Sequence, residues 1–193
     1  MAFVSTISNE EVAALEPARF DGEIVVVDTP EALAEACADI ARYGEIGFDT
    51  ETRPSFTART TNKVALMQIA AGEVCYLIRL NRLPLDKALI AILQNPNIKK
   101  VGAAVQNDIQ RLNELRHFKA AGFIDLQNMV GQFGIEDRSL RKLSAIILGK
   151  KVSKAQRLSN WEAHTLTPQQ QLYAATDAWV CMEILNALRQ VRK

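Results

Sequence analysis

The stretch I-G-F-D-T-E-T, residues 46–52, decides how this chain folds, because it places two carboxylates on one face of an apolar strand. Side chains along a strand alternate between the two faces of a sheet, so Asp49 and Glu51 share one face while Phe48 points the other way. Adjacent carboxylates repel each other unless a cation lies between them, and a divalent metal ion is the usual cation. The alternation therefore predicts a metal site, with two solvated carboxylates at a strand end as the alternative.

The composition is typical of one folded domain. The chain has 193 residues, and 48% of them are hydrophobic, which is enough to build a core. The N-terminus has no basic region followed by an apolar run, and no stretch is long enough to span a bilayer, so we expect a soluble, cytoplasmic protein. Cys37, Cys75 and Cys181 are far apart and are interpreted as buried hydrophobic residues, with neither a disulfide framework nor a zinc site.

The order of the predicted elements indicates an α/β fold. Residues 1–22 are polar and weakly patterned and are interpreted as an N-terminal arm with a turn of helix at 9–15, and residues 23–193 as a single domain. Apolar runs predict strands, and apolar periodicity predicts helices. The strands are expected at 23–28, 46–52, 63–70, 74–78, 98–105 and 123–124, and the helices at 30–40, 85–93, 108–115, 126–133, 140–148 and 168–190, with a loop at 53–62. This order predicts a mixed sheet flanked by helices, antiparallel in its first half and parallel in its second.

Three residues outside the acidic strand are candidates for the same site. Tyr173 and Asp177 are four residues apart on the last predicted helix, so they lie one above the other on one face. Asp108 follows V-G-A-A-V-Q-N at a strand-to-helix junction, where α/β sheets commonly place functional residues. The alternatives are a helix cap for Asp108 and a solvated helix position for Asp177.

Together these segments resemble the DEDD family of 3'-5' exonucleases. D-T-E at 49–51, V-G-x-x-V-x-x-D ending at Asp108, and Y-A-A-T-D at 173–177 match the three family motifs in order, and a tyrosine four residues before the last aspartate marks the DEDDy branch. The segments at 62–69, 148–150, 158–161 and 166–177 are most similar to Werner-type exonuclease domains, and RNase D catalytic domains are also similar. The resemblance implies an RNase H-like (DnaQ-like exonuclease) fold.

The resemblance also implies a reaction. The chain would hydrolyse phosphodiester bonds from the 3' end of a nucleic acid and release nucleoside 5'-monophosphates. Asp49, Glu51, Asp108 and Asp177 would ligate two divalent cations, Mg²⁺ or Mn²⁺, and Tyr173 would orient the attacking water. Two such cations can stabilise the attacking and the leaving oxygen of an in-line displacement at phosphorus.

Five residues would contact the substrate strand by the same resemblance: Thr52, Met67, Lys154, Arg157 and Trp161. The last three lie in or beside a stretch, residues 138–161, that contains seven basic residues and no acid, which indicates a polyanionic partner or, alternatively, a solvated face. Core packing is the alternative for Met67, and Trp161 either stacks on a base or packs beneath the loop. The expected partner is single-stranded or 3'-recessed nucleic acid, with DNA favoured over RNA, and no membrane.

Other functions remain open from the sequence. One is an RNase D-like exoribonuclease, and another is a nucleic-acid-binding module that has the fold without catalysis. All four acids and the tyrosine are present, which favours an active enzyme over the silent module. A phosphatase that uses D-x-[DE] as nucleophile and acid would leave Asp108 and the Y-x-x-x-D pair without a role.

Overall fold

Six strands form one mixed sheet across residues 3–55 and 62–191, the parts of the chain that this computed structural model describes. The strands are β1 (Glu23–Val27), β2 (Glu45–Thr52), β3 (Val64–Ala71), β4 (Val74–Ile78), β5 (Lys99–Gly102) and β6 (Phe123–Asp125). Part of the predicted loop at 53–62 and the outermost residues of the predicted arm and domain lie outside the described residues.

The strand order, β1-β4-β3-β2-β5-β6, confirms the mixed sheet and corrects one detail of it. β2, β3 and β4 pair antiparallel, and β2, β5 and β6 pair parallel, as the sequence predicts. The first strand differs, because β1 lies at the edge and pairs parallel with β4. The helix after β1 carries the chain to the centre of the sheet, so β3 and β4 lie between β1 and β2.

Helices cover both faces of the sheet. They are α1 (Asn9–Ala14), α2 (Pro30–Ile40), α3 (Lys87–Gln94), α4 (Val105–Leu115), α5 (Leu126–Met129), α6 (Leu140–Leu148) and α7 (Pro168–Val191), with a 3-10 turn at Val130–Phe133. α2, α3 and α4 bury their apolar stripes against one face, which carries Phe48 and Ile69. α7 packs on the other face, against Leu66 and Ala70, and α6 packs against α7.

Capping side chains begin α2 and α7 where the sequence predicts them. The Thr29 hydroxyl accepts from the Ala32 amide at the start of α2. At the start of α7, the Thr167 hydroxyl accepts from the Gln170 amide at 3.2 Å, and the Gln170 side chain accepts from the Thr167 amide at 3.0 Å. This reciprocal pair is a capping box, and it fixes where α7 begins along the sheet.

The prediction that the three cysteines are buried is confirmed, and all three are free thiols. No helix in the described ranges is both long enough and apolar enough to cross a bilayer.

The N-terminal residues pack against the sheet domain. α1 begins with a capping box at Ser8 and Glu11, and it buries Val12 completely. The Lys151 ammonium donates to the Ala13 carbonyl at the end of this helix. Phe20 is also buried, with its ring centroid 6.0 Å from that of Trp179 on α7. The residues predicted as an arm therefore contribute side chains to the core.

Candidate active site

The strand β2 presents its acids to α7. Gly47, Asp49 and Glu51 lie on the same face by alternation, and Gly47 lies so close to α7 that a Cβ there would be 2.0 Å from the Ala178 carbonyl oxygen. A glycine therefore permits the close approach of strand and helix. Because Ala178 follows Asp177 directly, this approach also brings the helix carboxylate to the strand carboxylates.

Three carboxylates meet at this contact. Asp49, Glu51 and Asp177 each offer an oxygen atom, and these atoms all lie within 4.8 Å of one another. Asp177 is 6% exposed, and its Oδ1 atom is buried without a hydrogen-bond partner among the described residues. A buried carboxylate oxygen without a donor is costly unless a cation or another ligand satisfies it. The three residues predicted to share a metal ion are thus brought together.

Asp108 reaches the same site from the other face of the sheet. It lies in the first turn of α4, and its Oδ1 atom accepts from the Thr50 hydroxyl at 2.5 Å. Thr50 points away from Asp49 and Glu51 on the same strand, so Asp108 lies beside the cluster of three without belonging to it. Asp108 is not the helix cap that the sequence left open, because α4 begins at Val105.

The start of α4 depends on a strained residue. Ala104 has a φ of 61° and is the only non-glycine residue with positive φ in the described ranges. Its amide donates to the Asp125 carboxylate at 3.0 Å, and the same Oδ1 atom accepts from the Gln127 amide at 3.0 Å. The predicted bounds of the strand at 98–105 and the helix at 108–115 are therefore corrected. The strand ends at Gly102, and the helix begins directly after the left-handed Ala104, three residues earlier than predicted.

Burial raises the pKa values of all four acids, and repulsion among the carboxylates raises those of Asp49 and Glu51 further. Desolvation raises the pKa of Asp49 well above its ordinary value, and the neighbouring carboxylates raise it further, with Asp177 the strongest of them. The pKa of Glu51 rises to about 9 through burial and then through Asp177 and Asp108. Burial raises the pKa of Asp177 to about 7 and that of Asp108 to about 6. The cluster disfavours its own negative charge, so a cation would be stabilised there.

Tyr173 lies one turn before Asp177 on α7, as predicted. Burial, followed by the nearby Asp177 and Glu51 carboxylates, raises the pKa of its phenol far above the ordinary value. The phenol therefore keeps its proton at neutral pH and can orient a water molecule without removing its proton. Its ring packs against Trp161, with the centroids 5.9 Å apart.

The residues predicted to contact substrate fall into two groups. Met67 and Trp161 are both fully buried, Met67 in the core on the sheet face opposite Asp49, and Trp161 against Tyr173. This burial favours the packing alternative for both residues. Lys154 and Arg157 are exposed in the loop before Trp161, and Thr52 is half-buried at the end of β2, beyond a shift of the strand register.

Several residues that shape the site were not predicted from the sequence. One of them is Asp125, which holds the Ala104 amide. Its position at the carboxyl end of a parallel strand is the sequence feature that could have predicted a role in the site. Gln68, opposite Asp49 on β3, is fully buried, and neither of its amide atoms has a partner among the described residues. Arg79 is buried and donates to the Ala163 carbonyl at 2.5 Å, which ties the loop after Trp161 to the sheet. No local pattern distinguishes Gln68 or Arg79 from a surface residue.

Comparison with known proteins identifies the family. A family model described as 3'-5' exonuclease matches residues 24–192. The chain belongs to the 3'-5' exonuclease family. The match runs from the second residue of β1 through α7, and so it contains all four acids and Tyr173. Residues 3–23, which include α1, lie before the part of this exonuclease domain that the family model matches.

Individual relatives agree with the family. The chain is 34% identical to the bifunctional 3'-5' exonuclease/ATP-dependent helicase WRN of Mus musculus over 151 residues, which are 74% of this chain and 11% of the relative. It is 35% identical to exonuclease 3'-5' domain-containing protein 2 of Drosophila melanogaster over 149 residues, 74% of this chain and 25% of the relative. The exonuclease domain thus matches only a small part of the length of either protein.

Solved structures share the fold. The Nibbler EXO domain of Aedes aegypti superposes with a TM-score of 0.78 at 25% identity and covers 87% of this chain and 88% of that one. RNase D of Escherichia coli superposes with a TM-score of 0.77 at 25% identity and covers 87% of this chain and 44% of that one. The fold is the RNase H-like fold, which confirms the predicted fold class.

Proposed function

We propose that this protein is a metal-dependent 3'-5' exonuclease of the DEDDy type, which releases nucleoside 5'-monophosphates from the 3' end of a nucleic acid strand. One observation carries the proposal: Asp49, Glu51 and Asp177 place carboxylate oxygens within 4.8 Å of one another, in a domain of the 3'-5' exonuclease family. Membership of the family supplies the reaction class, and the geometry of the acids supports an intact site.

The residues fit a divalent cation. Carboxylate oxygens are the ligands that Mg²⁺ and Mn²⁺ prefer, and the Oδ1 atom of Asp177 is buried with no donor in the described structure. Asp49, Glu51 and Asp177 would hold one ion, and Asp108, on the far side of Thr50, would help to hold a second. When bound, such ions lower the pKa of a water molecule and stabilise charge on the attacking and leaving oxygens.

Tyr173 supplies the orientation of the attacking water. Its phenol keeps its proton, so it can donate a hydrogen bond to the water or to a phosphate oxygen beside Asp177. The packing of its ring against the buried Trp161 restricts the positions the hydroxyl can take. Trp161 thereby acts on the reaction through Tyr173.

Lys154 and Arg157 supply contacts to the nucleic acid backbone. Both are exposed on the loop that leads to Trp161. The residues just after Trp161 are held by the hydrogen bond from Arg79 to the Ala163 carbonyl and by an ion pair of 3.2 Å between Arg53 and Glu162. Contacts to phosphates do not distinguish sequence, which suits an enzyme that removes every nucleotide in turn.

DNA is the substrate we favour, on the similarity to WRN, and RNA is the alternative, on the similarity to the exoribonuclease RNase D. Matched single-stranded and 3'-recessed DNA and RNA with a 5' label distinguish the two when they are incubated with Mg²⁺ or Mn²⁺. The proposal expects ladders that shorten from the 3' end and a faster ladder for DNA. A faster RNA ladder would reverse the preference and leave the reaction class in place.

The variant Asp49→Asn tests the catalytic assignment. It removes one negative charge from the cluster with little change of volume, whereas the control Glu35→Gln makes the same change on an exposed face of α2. We expect Asp49→Asn to lose the ladder and most of the rise in melting temperature that Mn²⁺ gives, because a ligand that binds only the folded state stabilises it. Glu35→Gln should keep both.

Two outcomes would contradict the proposal. If folded Asp49→Asn retained activity within tenfold of the wild type, the cluster would not be the reaction centre. If the wild-type protein bound nucleic acid but cleaved neither DNA nor RNA with either metal, the silent binding module would be the correct function.

A further inference from the structure

A cavity of about 350 Å³ opens beside the acid cluster. One wall is the face of α7 from Gln169 to Asp177, which includes Tyr173, and a second wall is the loop at 153–156. The third wall is the N-terminal segment Pro17–Arg19. This segment precedes residue 24, where the family match begins, so it is a part of the cavity that family membership does not explain.

Backbone hydrogen bonds hold this third wall in place. The Ala18 amide donates to the Lys151 carbonyl at 2.8 Å, and the Lys151 amide donates to the Glu16 carbonyl at 2.9 Å. Two residues further on, the Phe20 amide donates to the Thr176 hydroxyl at 3.2 Å, next to Asp177 on α7. The segment is therefore attached on both sides of Arg19, to the basic loop at one end and to the site helix at the other.

Arg19 is the cation of this wall. Its side chain is exposed and lines the cavity, and it forms no ion pair within the parts of the chain that the structure describes. Glu16 and Asp21 flank it in the sequence, but neither lines the cavity. Lys154 does not line the cavity, but it is exposed between Ser153 and Ala155, which do, so the loop that forms the second wall also carries an exposed cation.

We propose that the N-terminal segment is one wall of the substrate groove and that Arg19 contacts a backbone phosphate of the strand whose 3' end enters the acid cluster. A guanidinium group can bind two phosphate oxygens at once, and exposed cations on the segments that form a groove suit a polyanionic strand. The cavity is continuous with Tyr173 and Asp177, which places such a strand in line with the reaction centre. This inference rests on the proposed exonuclease function.

The test measures binding to a 5'-labelled single strand as a function of salt concentration, with Ca²⁺ in place of Mg²⁺ to suppress cleavage. Arg19→Ala should reduce the slope of log affinity against log salt by about 0.7, the value for one lost phosphate contact on a single strand. Arg19→Lys should keep the slope, because it keeps the charge, and should bind more weakly than wild type, because an ammonium cannot bind bidentately. The control Lys87→Ala removes an exposed cation from α3, on the opposite face of the sheet, and should leave the slope unchanged.

A second measurement locates the phosphate. Strands that carry one neutral methylphosphonate linkage, moved stepwise from the 3' end, should each be compared between wild type and Arg19→Ala. The contacted linkage is the one whose neutralisation weakens binding by the wild type and has no further effect on the variant.

The possible outcomes distinguish failure of the proposed exonuclease function from failure of the inference about Arg19. If the wild-type protein neither binds nor cleaves nucleic acid, the proposed function fails. If it does both, and the salt plots of Arg19→Ala and the wild type are parallel with equal melting temperatures, only the inference about the N-terminal wall fails. Binding of the strand that is insensitive to Arg19 would leave the cavity to another occupant, such as a peptide.

Discussion

Gly47→Ala is the substitution whose effects on stability and activity follow most directly from the geometry of the site. The added Cβ would lie 2.0 Å from the Ala178 carbonyl oxygen and 2.8 Å from its carbonyl carbon. Favourable contacts between heavy atoms begin near about 3.5 Å, so β2 and α7 must separate locally by roughly 1.5 Å. The atoms in conflict belong to the backbone, so no change of a side-chain rotamer can relieve the overlap.

Both stability and activity should fall, by different mechanisms. Overpacking of this kind costs about 1–3 kcal/mol, and each kcal/mol lowers the melting temperature of a protein of this size by about 2–4 °C. Asp177 precedes Ala178 directly, so the separation also moves its carboxylate away from Asp49 and Glu51. Since a misplacement of about 1 Å can cost a hundredfold in rate, we expect kcat to fall by about that factor or more.

The measurement combines thermal melts, with and without Mn²⁺, and the turnover of a 5'-labelled strand at a temperature where the variant is fully folded. Gly44→Ala is the matched control, because a Cβ at Gly44 would have no heavy atom within 4 Å and its φ is not positive. Gly44→Ala should retain wild-type turnover. If folded Gly47→Ala also did so, the close approach of β2 and α7 would not position the carboxylates.

Three further predictions follow from the same site. Tyr173→Phe should keep the Mn²⁺-induced rise in melting temperature and lose about 10- to 1000-fold in turnover, because it removes only the hydroxyl that we propose orients the water. Asp125→Ala should lower turnover more than Asp125→Asn, which keeps an acceptor for the Ala104 amide, and adding Ala104→Gly should restore part of the loss, since glycine adopts positive φ without strain. Without metal, unfolding free energy should fall as pH rises from about 4.5 to 9, and Asp177→Asn should reduce this fall.

The sign of the pH prediction follows from proton binding. The pKa of Glu51 is raised from 4.5 to about 9 in the folded chain, so the folded state holds a proton that the unfolded state has already lost in this range. Stability therefore decreases with pH until the folded carboxyl also ionises. Chemical denaturation in the presence of a chelator, from pH 5 to pH 9, gives the two slopes. Equal slopes for wild type and Asp177→Asn would refute this interpretation of the pH dependence. For Tyr173→Phe, loss of the Mn²⁺-induced rise in melting temperature would contradict the prediction.

Local patterns in the sequence predicted the parts of the fold that depend on local rules. The alternation in 46–52 placed Asp49 and Glu51 on one face because side-chain direction along a strand has a period of two. The capping box at Thr167–Gln170 predicted the start of α7, and the four-residue spacing placed Tyr173 one turn from Asp177. These rules need no knowledge of the rest of the chain.

The parts that the sequence did not predict depend on contacts between distant segments. Ala104 gives no sign that it will adopt a left-handed conformation, because alanine rarely does so without a partner such as the distant Asp125. Strand β1 reads as an ordinary apolar run, and its parallel pairing with β4 is a property of the whole sheet. The burial of Trp161 likewise follows from the position of α7 and not from its basic neighbours.

The position of α7 in the chain has a consequence for the synthesis of this protein. The strand acids emerge from the ribosome before Asp177 and Tyr173, which lie on α7, and α7 must dock against β2 before the carboxylates can meet. Contacts so far apart in the sequence form late, because the intervening chain must first be synthesised and closed into a loop. A nascent chain that ends before Pro168 therefore lacks part of the cluster, so the three carboxylates can come together only after α7 has been translated.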